Sequence, residues 1–94
     1  MSDDFLIRRT GELLESPLDD DLVGLNVDQG ACYGFNATAA RVWRMLDRPR
    51  RLSELRRQLL DEYDVDPETC DGQVRALLAQ LEENQLIAME PLPA

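Results

Sequence analysis

The chain contains no histidine and no lysine, and ten arginines carry all of its side-chain positive charge. That removes imidazole metal sites, Ser-His and Cys-His nucleophile pairs, Schiff-base lysines and the lysine-containing phosphate loop. Two cysteines, Cys32 and Cys70, with neither a CxxC spacing nor a histidine, do not make a zinc site. They read as free thiols, the usual state in a reducing compartment. No apolar run nears the roughly 20 residues that span a bilayer. The opening Met1-Ser2-Asp3-Asp4 lacks the basic and apolar regions of a secretory signal, so the expected location is cytoplasmic, with no membrane partner. What remains for chemistry is carboxylates, two tyrosines, two thiols and arginines, a poor kit for an independent enzyme. The expectation is a non-enzyme with no cofactor and no metal.

Charge is plentiful and uneven: the net is −9 over 94 residues. Residues 1–35 sum to −6, residues 36–60 to +5 and residues 61–94 to −8. Nucleic acid would be repelled by most of this surface, because phosphate contacts supply most non-specific affinity. The arginines of the middle segment, Arg48, Arg50, Arg51, Arg56 and Arg57, could instead dock an acidic partner surface. A hydrophobic fraction of 44% places the chain in the globular class, and its length suits one domain.

The first third reads as strand and turn. Phe5-Leu6-Ile7 is a short strand or part of an N-terminal arm over residues 1–10. Glu12–Leu18 is a strand edged by Pro17, which cannot donate to a ladder. Leu22–Val27 alternates apolar residues with the period of a half-buried strand. Asp28-Gln29-Gly30 is a hairpin signal, and Ala31–Phe35 returns with Tyr33 and Phe35 on one face. The rest reads as helices. Asn36 caps the first, with Ala39, Val42, Trp43 and Leu46 as its apolar stripe. Ser53 is the expected cap of the second. Asp66 caps the third with Pro67 at its first position, and Val74, Leu77, Leu78 and Leu81 are its apolar stripe. A helix over 67–84 would be about 27 Å long. Leu86–Met89 is a short closing strand. The predicted fold is α+β: a three-stranded antiparallel N-terminal sheet followed by three helices, resembling a winged helix-turn-helix. The domain would cover residues 11–90, with 91–94 as a tail.

A hairpin running Gly-x-x-Tyr-Gly-Phe-Asn into Ala-Thr-Ala-Ala-Arg-Val-Trp (Gly30–Trp43) resembles the PqqD-like family, as do Leu59–Glu68 and Leu81–Ile87. The resemblance spans roughly residues 11–90 and rests on the ordered combination. It implies a RiPP recognition element: a domain that binds the leader segment of a ribosomally made precursor peptide and delivers it to modifying enzymes. The Tyr33–Trp43 stretch is closer to the lasso-peptide type, whose partners would be a leader protease or cyclase. The alternative within the family is a PQQ-type peptide chaperone partnering a radical SAM enzyme. In this family the leader is similar to an added strand, antiparallel to the third strand, in a cleft against the third helix. Carried onto this chain, the resemblance implies an edge at Ala31, Cys32, Tyr33, Gly34, Phe35 and Asn36. The opposing wall would come from Cys70, Gln73, Val74, Leu77 and Leu81, with the two cysteines flanking the cleft. Family members commonly carry glycine where Gln85 stands, so Asn84 is the expected left-handed residue ending the helix.

Other classes fit less well. A DNA-binding winged helix needs basic residues on its recognition helix, and the third helix carries Glu68, Asp71, Glu82 and Glu83 against Arg75. An acidic carrier protein needs a modifiable serine at a helix start, and Ser53 lacks the preceding aspartate. An exposed edge strand would also permit a homodimer.

Overall fold

The computed structural model describes residues 4–93. The Met1–Asp3 part of the expected arm, and Ala94, lie outside the described residues. Six strands and three helices follow in the order β1 (Phe5–Arg9), β2 (Leu14–Leu18), β3 (Asp21–Asn26), β4 (Ala31–Phe35), α1 (Ala37–Met45), β5 (Arg50–Arg51), α2 (Leu52–Glu62), α3 (Pro67–Glu83) and β6 (Ile87–Pro91). The architecture is α+β, and the expected antiparallel meander is present as the sheet β2-β3-β4. Its hairpins form where turn chemistry demands. Gly30 takes φ +64° between β3 and β4, and Asp19 takes φ 56° between β2 and β3, a conformation that short polar side chains tolerate. Asn26, buried at the end of β3, accepts the Gln29 N–H on its Oδ1 at 3.0 Å and fixes the second turn.

A second sheet, β5-β1-β6, joins the two ends of the chain. β1 pairs antiparallel with β6, Ile7 opposite Met89, and with the two-residue β5, Ile7 opposite Arg50. Phe5–Arg9 is therefore a strand held within the fold. Pro91 closes β6 and the Leu92 N–H donates to the Asp4 carbonyl at 3.1 Å, so the expected tail is shorter than residues 91–94.

The core lies between the sheets and helices. Trp43 is fully buried, its ring stacked on Phe35 at 6.0 Å and covered on α1's flank by the Arg9 guanidinium, 4.1 Å from the ring centroid. Arg9 also donates to the Trp43 carbonyl. Leu52, Leu55 and Leu59 of α2 and Cys70, Val74, Leu78 and Leu81 of α3 complete the interior.

Asn36 and Asp66 cap α1 and α3 as expected, accepting from Ala39 N–H at 2.9 Å and Thr69 N–H at 3.2 Å. The α2 cap differs. Arg51, not Ser53, occupies the N-cap position and makes no side-chain cap bond. The Asp4 carboxylate substitutes, accepting the Ser53 N–H at 3.0 Å and the Ser53 hydroxyl at 2.7 Å. Burial opposes ionisation of Asp4, but these bonds together with the Phe5 N–H and nearby Arg51 hold its pKa below the usual carboxylate range.

The end of α3 also departs from expectation. The helix stops at Glu83, Asn84 keeps a negative φ, and Gln85 takes φ +62°. The Leu86 N–H bonds the Leu81 carbonyl at 2.9 Å and the Gln85 N–H bonds that of Glu82 at 3.0 Å, the two bonds of a Schellman stop. Leu86 and Leu81 are both buried beside it, and that apolar contact offsets the strain of a non-glycine residue.

Candidate functional site

Because β4 ends its sheet, its outer backbone edge has no partner strand among the described residues. Such an edge presents N–H and C=O groups that an extended chain can satisfy. Beside it runs a groove of about 920 Å³. One wall is β4 itself, Cys32 to Phe35, continuing through Asn36 into Thr38 and Ala39 of α1. The opposite wall is α3, through Gln73, Ala76, Leu77, Gln80, Leu81, Glu83 and Asn84. Glu83 is the one charged side chain in this lining among the described residues; the floor is apolar, with Phe35 and Leu81 buried and Leu77 and Tyr33 half-buried against the core.

One end of the groove is tied shut by polar side chains. The Tyr33 hydroxyl donates to Gln29 Oε1 at 2.9 Å and lies 3.4 Å from Asn84 Oδ1. Gln29 Nε2 in turn donates to the Asn84 carbonyl at 3.2 Å, and Asn84 Nδ2 to the Gln80 carbonyl at 2.8 Å. The β3–β4 turn is thereby fastened to the last turn of α3, which sets the separation of the two walls.

The structure brings together eight of the residues singled out from sequence: Cys32, Tyr33, Gly34, Phe35, Asn36, Gln73, Leu77 and Leu81. It separates three. Cys70 and Val74 point into the core, 4% and 2% exposed, and Ala31 lies half-buried at the start of β4, outside the lining. The two cysteines consequently do not flank the groove as a pair. Burial, reinforced by Asp71 and opposed by Arg56, pushes the Cys70 thiol pKa up, which disfavours the reactive thiolate. Thr38, Ala39, Ala76, Gln80, Glu83 and Asn84 were not expected. The signal for the α3 members is a second helical stripe, 73, 77, 80 and 84, spaced i, i+4, i+7 and i+11 beside the core stripe 70, 74, 78 and 81. Its mixture of glutamine, leucine and asparagine hides it from a purely apolar reading.

The arginines of the middle segment divide. Arg56 reaches across to α3, its Nη1 2.8 Å from Asp71 Oδ1, while Arg75 Nε lies 2.9 Å from Asp71 Oδ2. Burial opposes ionisation of Asp71, but the bonds from Arg75 and Arg56 hold its pKa below the usual range. Arg50 faces Asp47 at 3.8 Å. Arg51 and Arg57 border a depression of about 520 Å³ on α2 that Glu54 and Asp61 also line, and Arg48 is exposed. The expected cluster is therefore not one uncompensated basic face. Among the described residues no helix is long and apolar enough to cross a membrane.

Comparison with known proteins gives a consistent answer. The profile of the family described as coenzyme PQQ synthesis protein D (PqqD) matches residues 21–87. Among solved structures, the chain is similar to TbiB1 in complex with the TbiA(beta) leader peptide, with a TM-score of 0.74 and 25% identity over 93% of this chain and 99% of that one. It is similar also to a lasso peptide synthetase B1 complexed with the leader peptide, with a TM-score of 0.71 and 28% identity over 87% and 96% of the two chains. No curated protein matches.

Proposed function

We propose, from the premise that this chain belongs to the PqqD family, that it binds the leader segment of a ribosomally made precursor peptide as a fourth strand on β4. It then presents that peptide to the enzymes that modify it, a leader protease and cyclase in a lasso-type pathway. The observation that carries this reading is the coincidence of an unpaired edge and an apolar-floored groove in one place. Both similar structures are complexes with a leader peptide and one of the proteins is a lasso peptide synthetase B1, which favours that pathway over a PQQ-type partnership with a radical SAM enzyme.

Strand addition divides the work between backbone and side chains. Five ladder bonds would contribute about 0.5–1.5 kcal/mol each. Ordering six peptide residues costs about 1–2 kcal/mol each, so the ladder alone does not hold the guest. Apolar anchors, worth about 1.5–3 kcal/mol apiece, have to supply the surplus. The ladder therefore sets direction and register, while Leu77, Leu81, Phe35 and Tyr33 select the sequence. Nothing in this role calls for catalysis: the chain holds a peptide for another protein's chemistry.

The test is a titration of the chain with the synthetic leader of its pathway's precursor, followed by amide hydrogen exchange. Binding at one-to-one stoichiometry with new protection confined to β4 and α3 is the expected result. Protection appearing instead along β2 or β6, or no saturable binding, would overturn the assignment.

A further inference from the structure

The α3 wall of the groove carries little charge, and what charge it has is negative. Leu77 is its half-buried apolar centre, flanked by Gln73 at i−4 and Gln80 at i+3, with Glu83 one turn further on. Gln73, Gln80 and Glu83 are exposed, and their side chains make no hydrogen bond or ion pair among the described residues. The neighbouring amides of Gln29 and Asn84 are, by contrast, committed to the tie at the end of the groove. Glu83 and Gln80 therefore stand free beside that tie, ready to accept from a guest.

The surroundings settle which guest charge they accept. Among the described residues no basic side chain lines the groove, and residues 12–36, which include β4 and the turn before it, contain none. The last turn of α3 has no basic residue either, so the partial negative charge of the helix end is uncompensated. Arg75 is turned to Asp71 instead. An anionic guest side chain at this end would meet repulsion from Glu83 and from the helix end. A lysine or arginine would meet a carboxylate and an amide oxygen, and its stem can lie along the apolar floor while its head reaches the rim.

Spacing identifies the guest residue. Because Asn84 is tied to Tyr33 and Gln29, the end of α3 stands at the start of β4. From Gln73 to Asn84 the helix rises about 16 Å, which matches the five residues of β4 at about 3.3 Å each. A guest strand turns one side chain in two toward α3, roughly every 6.6 Å. Gln80 and Glu83 lie about 4.5 and 9 Å beyond Leu77 along the helix. The guest residue two places from the one seated on Leu77 thus falls between them.

We propose that Glu83, assisted by Gln80, is a charge-reading position of the groove. It selects a lysine or arginine two residues from the guest's apolar anchor on Leu77, on the side nearer the start of β4. This rests on the proposed reading of the groove and adds a charged selection to its apolar one.

The probe is the synthetic leader of the precursor encoded beside this chain, made as a scan in which each position in turn is lysine or glutamate. The anchor is located first, as the leader position whose alanine variant loses nothing further when Leu77 is replaced by alanine. Two residues from it, lysine should bind the parent about fivefold tighter than glutamate, the scale of an exposed ion pair, and the preference should shrink at high salt. Glu83→Lys should invert the preference at that position alone. Glu82→Lys changes net charge equally but lies outside the groove lining, and it should leave the preference within twofold of the parent. Thermal melts check that both exposed substitutions fold. Leader binding with no charge preference at that position, or a preference that survives Glu83→Lys, would overturn the proposal and leave the groove reading standing. An inversion produced equally by Glu82→Lys would also overturn it, because net charge alone would then be responsible. Absence of leader binding to the parent would overturn the groove reading and this proposal with it.

Discussion

Among the described residues the sheet β2-β3-β4 has two open edges, and they are unlike. β2 is exposed along its whole length and carries Pro17, paired through the register with Leu22. Proline has no N–H to offer, so within an edge strand it spoils the outer row of donors and discourages further pairing. β4 has no proline, carries Gly34 where a substituted carbon would meet nothing within 4 Å, and runs beside the wall of α3. Within this sheet, among the described residues, an unpaired backbone is thus present on both sides, but only the β4 side runs beside the groove. On the proposed reading, the difference teaches that a strand-addition site is made by what stands next to the edge. On that reading the blunted β2 edge is the complementary half of the arrangement, since Pro17 discourages strand pairing where no groove stands alongside.

The sharpest way to break this contrast is to remove the wall. Leu77→Glu puts a charge on the half-buried groove face of α3 while leaving the core stripe intact. Leader affinity should fall about ten- to hundredfold, the equivalent of one lost apolar anchor. Calorimetric titration of the folded variant with the synthetic leader measures this, and unchanged affinity would remove α3 from the site.

Next in size is a pair of glycines on neighbouring strands. A carbon added at Gly24 would stand 2.7 Å from Leu13 Cδ1 and 3.3 Å from both Leu13 Cβ and Phe35 Cε2. Gly24→Ala should therefore lose about 1–3 kcal/mol of stability by overpacking. Gly34→Ala, with open space, should be neutral or stabilising by a few tenths of a kcal/mol. Denaturant melts of both variants separate a glycine needed for packing from one that only keeps the edge clear.

A smaller effect concerns the long-range cap. Asp4→Ala should cost about 1 kcal/mol, the usual value of a lost N-cap acceptor. Because the folded-state pKa of Asp4 is depressed, its contribution is complete above the unfolded carboxylate value and fades as pH falls through the folded value. Melts between pH 6 and pH 3 should show the variant losing less stability on acidification than the parent, with the gap closing below about pH 4. A gap that stays constant would deny the cap its charge.

The smallest expected change tests the other edge. Pro17→Val restores a donor to β2, and leader stoichiometry should remain one to one, with affinity unchanged within twofold. A second bound peptide would show that the edge alone suffices and that the groove is dispensable.

Much of this was legible in the residues. Asn36, Asp66-Pro67 and Gly30 mark their boundaries because capping and turn chemistry act over three or four residues. The meander and three helices follow from the alternation at 23, 25 and 27 and from the helical stripes. The second sheet was not legible as a sheet, since Ile7 and Met89 meet across nearly the whole chain and neither run names its partner. Two arginines at 50 and 51 give no strand signal and become β5 only because β1 lies beside them. The α2 cap escaped for the same reason: Ser53 has the right chemistry nearby, yet the acceptor comes from Asp4, 49 residues away. On α3 the apolar stripe was visible, but its division into core and groove was not. Val74 and Leu77 are equally apolar in sequence, and only packing buries the first and leaves the second facing β4.

The sequence by itself determined which residues become strands and helices, where those elements stop, and the absence of the side chains that most catalysis needs, because these depend on neighbours within a turn or on composition. Only the tertiary structure decided which strand edge stays open and which flank of α3 stands across from it. Those outcomes depend on how distant segments compete to bury the same apolar surface, and no local pattern records the winner.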